Sequence, residues 1–182
     1  MINGSKMNQI LPTYPRILAI VPSSSGFGLA VVEGVNSLVG WEVKRVREDL
    51  NDGCIRKIKK AIAFYEPHVI VVEEGTMRSA RMRALMKRIA VLAKKCGVQV
   101  VVLTKEQVRK TFFSEGLGSK DALAEIIAQR FPEELAGDLP PKRKEWMSED
   151  HRIPMFMAVA LALAFRRVHK TLSDVGTRGR LF

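Results

Sequence analysis

The chain has 182 residues, 47% of them hydrophobic, enough for one domain with a sizeable core. It carries 30 lysines and arginines against 19 aspartates and glutamates, a formal net charge of +11. That excess favours nucleic acid as a partner over an anionic membrane, though it also serves plain solubility, and the two cysteines, Cys54 and Cys96, form neither a disulfide framework nor a metal motif.

Residues 1–15 read as an irregular lead-in bounded by Pro12 and Pro15. Arg16 to Val21, apolar from Ile17 on, reads as a buried strand. Ser23-Ser24-Ser25-Gly26 turns the chain, and Phe27 to Val32 returns as a second strand. Val39 to Val46 alternates well enough for a third. Short links between three strands predict an antiparallel meander. The period then changes: Ile55, Ile58, Ile62 and Tyr65 recur at helical spacing, with cations between them, until Pro67.

His68 to Val72 is a short β-branched strand ending at Glu73-Glu74-Gly75. A second amphipathic helix runs from about Ser79 to Lys95, and Cys96 at its end reads as a small buried apolar residue. Val98 to Leu103 is the next strand, with Thr104 as the cap of the following helix. Ser119-Lys120-Asp121-Ala122 starts another helix, which Pro132 ends. Residues 132–148 predict a loop, Ile153 to His169 a final, largely buried helix, and Leu172 to Phe182 a loose tail. The order predicts an α/β fold: a mixed sheet with helices on both faces. The domain itself spans 16–170, with 171–182 as a flexible tail.

The polar start at Asn3, Ser5, Lys6 and Asn8 is unlike a signal peptide, and Ile153 to Phe165 is too short and alanine-rich for a membrane span. A reduced, cytoplasmic protein is expected.

Glu73 and Glu74 are consecutive, so on a strand they face opposite ways and form no paired site by themselves. Glu73 reads either as a metal ligand or as an ordinary acid at a strand end. Glu149-Asp150-His151 has ligand chemistry in a tight run, yet Asp150 equally suits a helix cap. Ser23-Ser24-Ser25 lacks the Gly-Lys-Ser/Thr ending of a phosphate loop, and His68, His151 and His169 are dispersed.

The cations carry more. Arg78, Arg81, Arg83, Lys87, Arg88, Lys94 and Lys95 enrich one helix. Arg81 and Arg88 share a face, as do Lys87 and Lys94, because each pair is spaced by nearly two turns. Lys105, Arg109 and Lys110 follow, then Lys142-Arg143-Lys144 beside Trp146. These groups suit successive phosphates, which give affinity without base specificity, or else solvated surfaces. Trp146 is a candidate for stacking on a base, whereas Trp41 reads as packed on the sheet.

Ile17 to Gly28, with its strand, Pro22, small-residue turn and glycine-flanked Phe27, is similar to the first hairpin of the RuvC-like branch of the ribonuclease H superfamily, which includes Holliday-junction resolvases. Val69 to Glu74 resembles that family's fourth strand and catalytic glutamate. Val108-Arg109-Lys110, then Gly116 to Lys120, resembles its later basic and glycine-rich segments, and Ala160 to Ala164 its last helix. The resemblance spans roughly Arg16 to His169 and implies a ribonuclease H-like fold with a five-stranded mixed sheet.

The resemblance also implies a phosphodiesterase in which acids, or acids and a histidine, hold two magnesium or manganese ions. The carry-over is incomplete. The first-strand aspartate falls on Val21, the glutamate on Glu73, and the last-helix pair on Phe156 and Val159. The leading expectation is therefore a DNA-binding protein with a degenerate centre that presents its basic helices and loops to branched or double-stranded DNA, and the resemblance implies a homodimer. The alternatives are a magnesium- or manganese-dependent endonuclease with relocated ligands (Glu73, Asp150, His151) and a protein-interaction scaffold.

Overall fold

The computed structural model describes residues 11–74, 79–115 and 118–178, with 171–178 described by backbone alone. Five strands form one sheet in the order β3-β2-β1-β4-β5. β1 (Ile17–Ser23), β2 (Gly26–Glu33) and β3 (Ser37–Arg45) make the expected antiparallel meander. After α1 (Leu50–Tyr65), β4 (Val69–Glu73) pairs parallel with β1. After α2 (Ala80–Lys95), β5 (Gln99–Leu103) pairs parallel with β4. The sense of the sheet thus changes at β1.

Two cores follow from the strand period of two. Ile17, Ala19 and Val21 of β1, with Val69 and Val71 of β4, pack under the last helix. Leu18, Ile20, Ile70 and Val72 point the other way, against α1 and α2. The last helix's side of the sheet also carries α3 (Lys105–Phe112), α4 (Lys120–Arg130) and the short α5 (Pro132–Leu135), which leads into a 3-10 turn at Ala136–Asp138. The expected loop over 132–148 therefore begins helically, because Pro132 suits the first turn of a helix as well as the end of the preceding one.

The last helix, α6, spans Ile153–Arg178 and so continues past His169 through residues 171–178 of the expected tail. The remaining four positions, 179–182, and the lead-in 1–10 lie outside the described residues. Three helices start on the side-chain caps that their sequences offer. Ser79 Oγ accepts from Met82 N (3.1 Å), and Ser119 Oγ from Ala122 N (3.0 Å). Thr104 and Gln107 form a reciprocal capping box at 3.1 and 2.8 Å. Each such cap contributes about 1 kcal/mol. Cys96 caps the C-terminus of α2 and is exposed, contrary to expectation: a helix end on the surface has no core to enter. Cys54 is the buried thiol, and burial pushes its pKa up. Among the described residues no helix is long and apolar enough to cross a membrane.

Candidate functional site

A cleft of about 460 Å³ opens at the carboxyl edge of β1 and β4, where the strand sense changes. Such crevices are the usual ligand sites of open α/β sheets. Val21 and Pro22 close it from β1, and Glu73 from β4. Val21 and Glu73 occupy the α6 side of their strands: each stands two residues beyond a neighbour in that core, Ala19 and Val71. The beginnings of α2, α3, α4 and α6 reach the same cleft through Ser79, Lys105, Ser119-Lys120 and Pro154. Four helix starts and the side chains of Lys105, Arg109 and Lys120 give it a positive field.

The floor is apolar. Val108, Leu123, Met157 and Leu161 line it with Val21 and Pro154. From α6 the cleft receives Pro154, Met157 and Leu161, a single stripe at helical spacing. Phe156 and Val159, the positions matched to the family's last-helix ligands, are instead fully buried in the core. The close approach of α6 to the sheet fixes this rotation. Gly28 pairs with Val21, and the backbone of Pro154 and Met155 lies directly on it, where no Cβ would fit.

Asp150 and His151 do not line the cleft. Arg152 takes the Asp150 carboxylate: its backbone N and Nε both donate to Oδ1 at 2.9 Å, and Nη2 to Oδ2 at 3.0 Å. These bonds, the side-chain pair above all, hold the Asp150 pKa down at about 2. His151 is exposed, its Nδ1 3.5 Å from Asp150 Oδ1. The neighbour that does enter the cleft is Glu149, and Lys120 Nζ binds its Oε2 at 2.6 Å.

A two-cation centre does not fit these side chains. The cleft holds Glu73 and a lysine-paired Glu149, while Val21, Pro154 and Met157 present no donor atom able to bind magnesium or manganese. Among the described residues no group of three or more His, Cys, Asp and Glu side chains could hold a metal ion.

The cations named from the sequence are divided between two places. Arg109 lines the cleft, and Lys105 and Lys120 join it. The Lys120 contribution follows from its place just after the Ser119 cap, at the carboxyl edge of the sheet. Lys87 and Lys94 are exposed on α2, in the layer on the other face of the sheet. Two cations of α2 are engaged within the fold. Arg81 donates to Ser23 O at 2.8 Å and to Asn51 Oδ1 at 3.4 Å, and Arg88 pairs with Asp52. Arg78 lies outside the described residues.

Lys110 pairs with Glu106 one turn away at 2.6 Å. Lys142 stands 3.7 Å from Glu125 and Arg143 3.9 Å from Asp121, which hang their segment on α4. Lys144 lies over the ring of Trp146, 5.3 Å from its centroid. Trp41 is partly buried against the α6-side core, as expected.

The fold has solved counterparts. Thermus thermophilus RuvC in complex with a Holliday junction substrate superposes with a TM-score of 0.63 at 19% identity, covering 86% of this chain and 96% of that one. The yeast mitochondrial Holliday junction resolvase gives 0.63 at 14% identity, covering 92% and 83%. The Fowlpox virus resolvase, solved with Holliday junction DNA, gives 0.54 at 12% identity, covering 84% and 99%. No family model matches the sequence, and no curated protein does. The chain has the ribonuclease H-like fold of RuvC-type resolvases.

Proposed function

We propose that this protein binds DNA, branched DNA foremost, through the carboxyl-edge cleft and its cationic rim, and does not hydrolyse it. One observation carries the reading. The cleft keeps the cations Lys105 and Arg109, with Lys120 paired to Glu149, while Val21, Pro154 and Met157 replace metal-binding chemistry with an apolar floor. Cations without bound metal hold phosphates and give salt-dependent affinity. Hydrolysis by two metals needs oxygen ligands on both sides of the scissile phosphate, and Glu73 with a lysine-held Glu149 does not supply them. The fold shared with two resolvases solved on Holliday junctions supports the choice of branched DNA. Acting on a junction of two-fold symmetry is suited to a homodimer.

The test is incubation of purified protein with labelled four-way-junction and duplex DNA, with magnesium or manganese and with chelator. Binding that weakens with salt and leaves the DNA intact in both conditions is expected. Metal-dependent cleavage that disappears in Glu73→Ala refutes the reading and requires a ligand set other than the one around the cleft. Absence of binding at low salt leaves the protein-interaction scaffold.

A further inference from the structure

We infer that Trp146 is a stacking platform for one unpaired nucleobase beside the cleft, an inference that rests on the DNA-binding reading above. Trp146 is 80% exposed, an unusual place for the largest apolar side chain. It stands on a tight turn closed by a hydrogen bond from Met147 N to Lys144 O (3.0 Å). Its neighbour Met147 is 46% exposed and adds an apolar shoulder.

Ion pairs flank this turn on both sides. Before it, Arg143 and Lys142 reach Asp121 and Glu125 of α4. After it, Glu149 binds Lys120 in the cleft, and Asp150 is locked to Arg152 at the start of α6. Trp146 lies three positions before Glu149, so their Cα atoms are within about 11 Å. The turn that carries the indole thus leads directly to Glu149, which lines the cleft.

Its surroundings select the chemistry of the partner. Of the three cations before the ring, Lys142 and Arg143 stand near Glu125 and Asp121, and Lys144 lies over the indole, where it can meet the phosphate of a base stacked there. A nucleotide offers both halves of the match: a flat base for the ring and a phosphate for the cations. Bases inside a perfect duplex are stacked on both faces, so the ring discriminates for a base that is not. A membrane surface fits less well. The tip carries one indole and one methionine beside an acid, Glu145, a small apolar area for insertion into a bilayer.

The chain has two tryptophans, so Trp41→Phe leaves Trp146 as the fluorescent reporter. The DNA probes are a duplex with one unpaired adenine and the matching perfect duplex, with affinities measured by anisotropy. Quenching of the indole by the first duplex alone is expected. Trp146→Ala then weakens binding of the unpaired-base duplex by about 10- to 100-fold and that of the perfect duplex by less than about threefold.

Equal weakening of both duplexes by Trp146→Ala, or of neither, overturns the inference and leaves DNA binding standing. So does quenching by vesicles of anionic lipid and not by DNA. If the unmodified protein binds neither duplex at low salt, the DNA-binding reading fails and the inference fails with it.

Discussion

Gly28→Ala tests whether the first turn of α6 owes its position to one missing side chain. A Cβ at Gly28 would stand 2.5 Å from Met155 N, and closer still to the Pro154 carbonyl. Ordinary van der Waals contact there begins at 3.4 Å, so backbone must move by about 1 Å. Neither side yields easily. Gly28 is paired with Val21 on one edge and with Val43 on the other, and α6 is buried over most of its first three turns. Overpacking of this kind costs about 1–3 kcal/mol, and contact with backbone on both sides places it at the upper end.

For a domain of this size, ~3 kcal/mol corresponds to a fall in Tm of about 6–12 °C. Thermal unfolding followed by circular dichroism reads it. Gly137→Ala is the matched control: nothing lies within 4 Å of its Cβ position, and its Tm should move by no more than about 2 °C. If Gly28→Ala also stays within about 2 °C, the close approach of α6 is not what sets its rotation, and the account of the cleft floor fails.

The other expectations concern charge and cations. Adding about 10 mM magnesium should shift Tm by less than about 1 °C, since a cation stabilises only a folded state that binds it; a larger rise would show a site that the side chains do not suggest. Asp150 titrates near 2 when folded, below its ordinary 3.8, so its contribution is fully present above about pH 4 and is lost as pH falls through about 2. Asp150→Asn should therefore lie below the unmodified protein in Tm by a constant amount above pH 4, with the gap narrowing towards pH 2. Removing Lys105, Arg109 and Lys120 together should flatten the salt dependence of DNA binding by about 0.9 per lost phosphate contact, while Arg88→Ala, which breaks the pair with Asp52, should leave the slope unchanged.

Where the sequence speaks locally, it was legible. Ser79, Thr104 and Ser119 announce helix starts because a hydroxyl before a helical run accepts a free amide, and each does so. The strands stand out because β-branched runs between Gly and Pro bury both faces, as Val69 to Val72 do. Glu73 could be placed at the cleft because a strand end has one position and one facing. The cations were less legible. Composition registers Arg81 and Arg88 as positive charge, but not that Ser23 O and Asp52 engage them inside the fold. The short helix at Pro132 and the continuation of α6 past His169 depend on what the chain packs against, which local pattern does not reveal.

The facing of α6 is the instructive case. Ala158 to Arg166 are all buried, so polarity marks no stripe of this helix as the one that meets the cleft. An alignment of its alanines and leucines with a related helix is consequently free to slip by a residue or two, and placing the ligand positions on Phe156 and Val159 is such a slip. Both side chains lie in the core, and Pro154, Met157 and Leu161, on one face, are the α6 residues at the cleft. What settles the register is not on the helix. It is Gly28, two strands away in sequence order from β4 and paired with Val21, whose missing Cβ admits the Pro154 backbone. The loss of metal chemistry survives the correction, since proline and methionine offer a hard cation no more than phenylalanine and valine do. The corrected positions also decide where carboxylates would rebuild a cation site: at Val21, Pro154 and Met157 around Glu73, whereas the same acids at Phe156 and Val159 would be buried charges that unfold the domain.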